Sequence, residues 1–355
     1  APAPTPPLPA APPARVVAAP VPDDPRLGMG VDLTETRAPV APLPPAVSIA
    51  ARAMAPVAPA PILPGPVGFA ANHDLVAFVS DRDTSGAGGF DIYLYDATLQ
   101  TVWAPPGVNS KADEANPSLA HGNQWLVYAS NAAGNFDIRR FDMTNQLIDG
   151  LGPANTAANE VSPTINEAGT VIAYTSDVTG SPRLHLFDLR TGANYVPAAV
   201  ARLCGDIFNP YIAADSSRVA FSSPVKGSGL DLFVYDMATA AVWTPPFVNS
   251  AADEDEPVLS PVDARMLFST NRNGNFDVML TDLHTGFLDG LALANSKATE
   301  LTPGFLGAHA DRILYVSDRT GKGDRRMLVY APALGLVDTL PVAHDVGSED
   351  TFSPP

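Results

Sequence analysis

The side chains that could do chemistry are acidic, and they recur at a nearly fixed spacing. Six carboxylates stand just before predicted strands, at intervals of 46, 46, 48, 46 and 49 residues: Glu114, Glu160, Asp206, Glu254, Glu300 and Glu349. If the strands that follow line a common axis, these six side chains would ring one mouth of a channel. Like charges at that separation raise one another's pKa or recruit a cation. Ligands that are all oxygen atoms favour Ca²⁺ or Mg²⁺.

The same spacing supports a second interpretation. Four of the acids lie in the form E-x-x-P, so each could accept backbone N–H bonds in its own loop and recur because the loop recurs. Residues 271–277 (NRNGNFD) alternate like the start of a calcium loop, but no late glutamate follows, and turn chemistry explains the Asn and Gly. The six acids are therefore metal-site candidates beside a purely structural alternative.

No nucleophile motif accompanies the acids. The sequence contains no G-x-S-x-G, and the single cysteine, Cys204, has no histidine near it in sequence. An inert thiol is the simplest interpretation of that cysteine. We therefore expect no enzymatic activity and no cofactor, with Ca²⁺ as the possible exception.

The elements that must position these acids form a repeat. Residues 131–137 (NAAGNFD) and 271–277 match across 140 positions, as do TVWAPP at 101–106 and AVWTPP at 241–246. Six units follow one plan: a strand that begins at proline, a second apolar strand, a Gly/Asn/Asp loop, a third strand and a weaker fourth. The six prolines head the segments 66–70, 117–120, 163–166, 210–213, 257–260 and 303–306.

Four short strands every 46 residues or so are typical of a propeller blade. A single four-stranded sheet cannot bury both of its faces, so neighbouring sheets must stack around an axis. The predicted fold is all-β, with a six-bladed β-propeller of four-stranded blades over residues 66–355.

Residues 1–65 have a different composition. Nineteen of the 37 prolines fall within residues 1–66, among many alanines, and the charges of this segment cancel. Proline removes backbone donors and favours polyproline II, so the segment is predicted to be an extended Pro/Ala-rich N-terminal arm. Such an arm has few internal contacts, so either it is a flexible linker or it lies on its own domain or on a partner.

The blades resemble the TolB-type propeller repeat, which is related to WD-type propellers. The resemblance is carried by SDR at 80–82, DIY at 91–93, SDR at 317–319 and the two GNFD segments. The family's S-P-D-G turn is missing, with SPVD at 260–263 as its nearest trace, and the N-terminal α/β domain of TolB is replaced by the arm. The resemblance implies export to the periplasm, which a Pro/Ala-rich start after a cleaved export signal would suit.

The net charge and the hydrophobic pattern limit the kinds of partner that this protein could bind. A net charge of −17 disfavours nucleic acid, and no apolar run approaches the ~18 residues of a membrane-spanning helix. We expect a non-catalytic scaffold subunit, peripheral to a membrane, whose residues 1–60 contact proteins of a larger membrane-attached complex. The alternatives are a calcium-dependent small-molecule binder or enzyme at the channel mouth, and a self-assembling fibre or surface-layer unit.

Overall fold

The computed structural model describes residues 63–64, 74–80, 89–203, 205–307, 309–319, 325–340 and 352–353. In these residues the chain is built from strands, joined by turns and two short 3-10 helices, Val200–Arg202 and Pro332–Leu334. The strands form six sheets in chain order, which confirms the predicted six-bladed propeller. The arm (1–65), apart from Leu63–Pro64, lies outside the described residues.

The first three blades use the strands up to β12. Blade one contains β1 (Leu63–Pro64), β2 (Leu75–Ser80), β3 (Asp91–Asp96) and β4 (Thr101–Ala104). Blade two contains β5 (Glu114–Leu119), β6 (Trp125–Ser130), β7 (Asp137–Asp142) and β8 (Leu147–Asp149). Blade three contains β9 (Glu160–Ile165), β10 (Val171–Ser176), β11 (Arg183–Asp188) and β12 (Ala193–Tyr195).

The second half repeats this plan. Blade four contains β13 (Phe208–Ile212), β14 (Arg218–Val225), β15 (Gly229–Asp236) and β16 (Ala241–Trp243). Blade five contains β17 (Glu254–Leu259), β18 (Arg265–Thr270), β19 (Asp277–Asp282) and β20 (Leu288–Asp289). Blade six contains β21 (Glu300–Leu306), β22 (Arg312–Ser317), β23 (Arg326–Ala331) and β24 (Leu336–Thr339), and β25 (Phe352–Ser353) returns to blade one.

The first blade is closed by the end of the chain. Its strand order is β1-β4-β3-β2-β25, so β25 pairs antiparallel with β2 on the side away from β3. Residues 66–70, predicted as the first strand of this blade, lie outside the described residues, and β25 takes the edge of β2 expected for them. At the other edge, β1 adds a strand parallel to β4.

Each blade buries both of its faces against its two neighbours. In β2, Leu75, Ala77 and Val79 pack toward blade two, whereas Val76 and Phe78 pack toward blade six. This follows from the alternation of side chains along a strand. Six apolar clusters, one between each pair of neighbouring blades, complete the ring.

Candidate functional site

The recurring glutamates lie at the joints where one blade passes into the next. Each ends the motif N-[ST]-x-A-x-E, which occurs at residues 109–114, 155–160, 249–254 and 295–300. The glutamate begins the first strand of its blade, and its backbone N–H reaches back to the preceding blade. Glu114 N donates to Phe90 O over 2.7 Å, and Glu160 and Glu300 bond Phe136 O and Phe276 O in the same way.

The glutamate side chain is fully buried and is surrounded by donors from its own joint. Glu114 Oε2 accepts from Ser110 N over 3.0 Å, and Oε1 accepts from Ser110 Oγ over 2.8 Å and Ser130 Oγ over 2.9 Å. Glu160, Glu254 and Glu300 accept the corresponding bonds from Thr156 and Ser176, Ser250 and Thr270, and Ser296 and Ser317. These hydrogen bonds are of the kind expected if each acid serves its own loop, which was the structural interpretation of the repeated spacing.

The asparagine of the motif holds the preceding blade from its other end. The Asn109 amide accepts from Ile92 N and donates to Ile92 O, both over 2.9 Å. Asn155, Asn249 and Asn295 bond Ile138, Leu232 and Val278 in the same way. One six-residue motif therefore ties the third strand of one blade to the first and second strands of the next. The asparagine and the hydroxyl residue were not among the predicted site residues, although their spacing repeats as that of the glutamates does.

Two of the joints contain an arginine. Arg272 Nη2 lies 3.0 Å from Glu254 Oε1, and Arg319 Nη2 lies 3.2 Å from Glu300 Oε1. The same nitrogens donate to the carbonyl oxygens of Val248 and Ala294 in the preceding linker. At the equivalent places in blades two and three stand Ala132 and Val178, so Glu114 and Glu160 lack this partner.

One of the predicted acids does not fit this pattern as numbered, and another lies outside the described residues. Phe208 pairs with Ser222 as Ala115 pairs with Ala129, and Ile207 N bonds Pro182 O. The position equivalent to Glu114 in blade four is therefore the buried Ile207, and Asp206 stands one residue earlier. The displacement arises because the linker before blade four is longer and includes the 3-10 helix Val200–Arg202. Glu349 lies outside the described residues, four positions before Ser353 as Glu114 is four before Ser118.

A second ring of residues lies two positions beyond the glutamates, just before the prolines of the first strands. Five of these residues have positive φ: Asn116, Ser162, Asn209, Glu256 and Thr302. Their side chains reach from blade to blade. Ser162 N donates to Asn116 Oδ1 over 3.4 Å, Thr302 N donates to Glu256 Oε2 over 2.6 Å, and Asn209 Nδ2 donates to Asp255 Oδ1 over 3.0 Å.

Of these five side chains only Glu256 is acidic. Desolvation raises the pKa of Glu256 above its ordinary value, and the charge of Asp255 raises it further, while Ser269 and Thr302 lower it through hydrogen bonds. Four of the five positions are neutral, so this ring holds the first strands together by polar contacts in which Glu256 and the neighbouring Asp255 supply the carboxyl groups.

The described residues bring no group of three or more His, Cys, Asp or Glu side chains together in a way that could hold a metal ion. In the 271–277 turn, the amide nitrogens of Asn273 and Asn275 donate to Asp277 over 2.8 and 3.2 Å. The calcium hypothesis for the six acids stays a prediction. In the described part of the chain, no helix has the length and hydrophobicity to cross a bilayer.

The sheets and joints define a six-bladed β-propeller, and its fold is similar to that of TolB proteins. TolB from Acinetobacter baumannii is similar over 79% of this chain and 66% of its own, with 16% identity and a TM-score of 0.62. A putative TolB from Agrobacterium tumefaciens is similar over 76% and 88%, with 12% identity and a TM-score of 0.57. An oligogalacturonate lyase from Vibrio parahaemolyticus is similar over 76% and 72%, with 13% identity and a TM-score of 0.50.

These similarities show the fold alone. No family model matches the sequence, and no curated protein matches it. The chain spans 66% of the length of the Acinetobacter protein, so any activity or partner of that whole protein is a proposal for this chain.

Proposed function

We propose that this chain is a non-catalytic interaction subunit whose propeller packs on a larger, membrane-attached periplasmic assembly. The observation that carries the proposal is a set of exposed apolar side chains at the outer rim of blades two, four and five. Leu147 is 65% exposed, Phe247 is 74% exposed and Phe287 is 67% exposed. We call these three residues the rim apolar set. Apolar side chains this large stay in water at a cost unless a partner covers them.

The rim apolar set recurs in both halves of the propeller. Leu147 and Phe287 stand 140 residues apart, at matching places in blades two and five. Phe247 lies over Gly286, where an added Cβ would sit 2.8 Å from its Cδ2, so its ring joins the rim of blade four to that of blade five. One exposed aromatic ring therefore crosses a blade boundary and lies against the residue that precedes Phe287.

Charge supports a partner of complementary sign. The net charge of −17 gives the chain a field that attracts basic protein surfaces and speeds their encounter at low salt. The recurring glutamates are fully buried at the joints, so their side chains offer no surface to a partner. We assign the arm, residues 1–60, a docking role along the same assembly.

The periplasmic location rests on the likeness to TolB-type propellers. The likeness to the lyase makes catalysis the competing hypothesis, because both kinds of protein share this fold. Surface substitutions distinguish the two hypotheses. In an interaction subunit they weaken binding of the partner, whereas in an enzyme they lower turnover of a small substrate.

The test is cross-linking of the tagged full-length protein in cells, followed by identification of the cross-linked residues. We expect reproducible cross-links to one assembly, weakened both by deletion of residues 1–60 and by Phe247→Ser with Phe287→Ser. Val262→Ser, also exposed but outside the rim apolar set, is the matched control. Cross-links that survive both changes, or a protein found only as a monomer or as a self-assembled array, would contradict the proposal. Elemental analysis of the same protein for calcium tests the channel-mouth alternative.

A further inference from the structure

Two equivalent strands at the outer edge of the propeller differ in what covers them. Strand β4 and strand β16 belong to the matching segments TVWAPP (101–106) and AVWTPP (241–246). On β4, the chain itself adds β1 in parallel, with Leu63 opposite Trp103 and Pro64 opposite Ala104. No strand pairs with the outer edge of β16 within the residues that the structure describes.

Burial follows this difference position by position. Trp103 is 2% exposed and Val102 is also buried, whereas Val242 and Trp243 are only half-buried. The flanking Ala241 and Thr244 are exposed, while their counterparts Thr101 and Ala104 are half-buried. Strand β16 therefore presents an uncovered copy of an edge that, in blade one, is occupied.

We infer that the outer edge of β16 binds an extended Leu-Pro segment of a partner polypeptide, in the parallel register that Leu63–Pro64 has on β4. In this register the partner's leucine lies opposite Trp243 and its proline opposite Thr244. The inference rests on the proposed interaction function and names where, and by what chemistry, one contact is made.

The chemistry of the edge suits this occupant. Strand addition supplies affinity through main-chain hydrogen bonds, and side-chain pockets supply specificity. Proline is tolerated on an outermost strand because its missing N–H is not needed on the side that faces water. The template segment 59–66 (PAPILPGP) carries no charge, so its approach to a chain of net charge −17 is not opposed. Phe247, from the rim apolar set, follows the edge and supplies apolar surface for the partner's aliphatic side chains.

The other outer strands do not share these features. Strands β8, β12, β20 and β24 also end their sheets, but none contains the Val-Trp pair or leads into two prolines. The resemblance to an occupied edge is therefore specific to β16.

The experiment titrates the full-length protein with a synthetic peptide of residues 59–66 by calorimetry, while tryptophan emission is followed. We expect saturable binding with a blue shift of the emission, because Trp243 passes from partial exposure to cover. A peptide with aspartate at the leucine position should not bind. Phe247→Ser should weaken binding by about tenfold, the effect of one lost aromatic contact. Val262→Ser, an exposed apolar change outside the rim apolar set, should leave the affinity unchanged.

A second variant tests binding at the edge of β16 without altering Phe247. Ala241→Lys places a charge on the exposed edge, as natural edge strands do to prevent pairing, and should abolish binding without affecting the fold. No binding by the wild-type protein, or equal binding by the wild type and Ala241→Lys, would overturn the inference. If cross-links to the assembly persist in Ala241→Lys, the edge inference fails but the proposed function stands. If no assembly is found at all, the proposed function fails.

Discussion

The joints of the first half of the propeller and those of the second half perform one task with different side chains. Glu114 and Glu160 are satisfied by one backbone N–H and two hydroxyl groups each. Glu254 and Glu300 receive the same three bonds and, in addition, an arginine. Hydrogen bonding of a buried carboxylate is thus common to these four joints, and the arginine is an addition to it.

The carbonyl oxygens of the linkers between blades show which group replaces the arginine in the first half. In blade three, Tyr174 Oη donates to Ala154 O over 3.0 Å. In blade six the equivalent carbonyl, that of Ala294, accepts from Arg319, which also lies 3.2 Å from Tyr315 Oη. A neutral hydroxyl and a cation therefore fill the same place. The hydrogen bonds of the glutamates are the same in joints with and without the arginine. The glutamates therefore make the main contribution to the stability of the joint, and the arginine adds to it.

The largest effect is expected from removal of a glutamate beside arginine. Glu254→Ala leaves Arg272 without its buried partner, so the free energy of unfolding should fall by about 3 to 5 kcal/mol. Glu114→Ala leaves only neutral donors unsatisfied and should cost about 2 to 4 kcal/mol. Denaturant unfolding of the two variants measures the difference. An equal or larger loss for Glu114→Ala would show that the arginine adds nothing.

The next effect concerns the arginine itself. Arg272→Ala should lower the free energy of unfolding by about 2 to 3 kcal/mol, because Glu254 stays buried while one strong donor is lost. Arg190→Ala is the control, since Arg190 is paired with Asp188 but is well exposed. A loss for Arg272→Ala no greater than that for the control would contradict the role of the cation.

A pH-dependent effect is expected at the third strands, which face the joints. Burial raises the pKa of Asp231 to about 6, and the charge of Glu254 adds to the shift, against a hydrogen bond from Ser228. The folded state therefore binds a proton more tightly than the unfolded state does. The stability that this contributes is present below pH 4 and is lost as the pH rises through 6.

Asp231→Asn removes that loss while keeping an oxygen for Ser228. Above pH 7 the variant should be more stable than the wild type by about 1 to 3 kcal/mol, and the difference should vanish below pH 4. Asp137→Asn should change the stability in the same direction, since burial first and Glu160 second raise the pKa of Asp137. Melting curves from pH 4 to 8 measure both, and a difference independent of pH would contradict this assignment.

The smallest effect is a gain. Ala132 holds in blade two the place that Arg272 holds in blade five, and it is exposed. Ala132→Arg should therefore raise the free energy of unfolding by up to about 1 kcal/mol by supplying Glu114 with the partner it lacks. Ala133→Arg, at the exposed neighbouring position, is the control. Equal gains from both variants would indicate a general charge effect on an acidic protein.

The sequence predicts the propeller well because a period near 46 residues and strand-length apolar runs leave few alternatives. It predicts the positions of Glu114, Glu160, Glu254 and Glu300 but not their partners, since Ser130 and Ile92 come from strands whose register only the fold determines. Asp206 was misplaced because one longer linker shifts the count, and only the pairing of Phe208 with Ser222 reveals Ile207 as the equivalent residue. The closing strand β25 was not predicted, because the repeat pattern places the first strand of blade one at residues 66–70, although Glu349 repeats the spacing of the other acids.

The central claim is that the recurring glutamates hold the blades together by hydrogen bonds and do not depend on a bound cation. The most direct measurement compares melting temperatures of the wild type and Glu114→Ala with added calcium and with excess chelator. The account predicts that the variant melts lower than the wild type by the same amount in both buffers, and that the wild type is unchanged by chelator. A wild-type melting temperature that falls in chelator to that of the variant would contradict it.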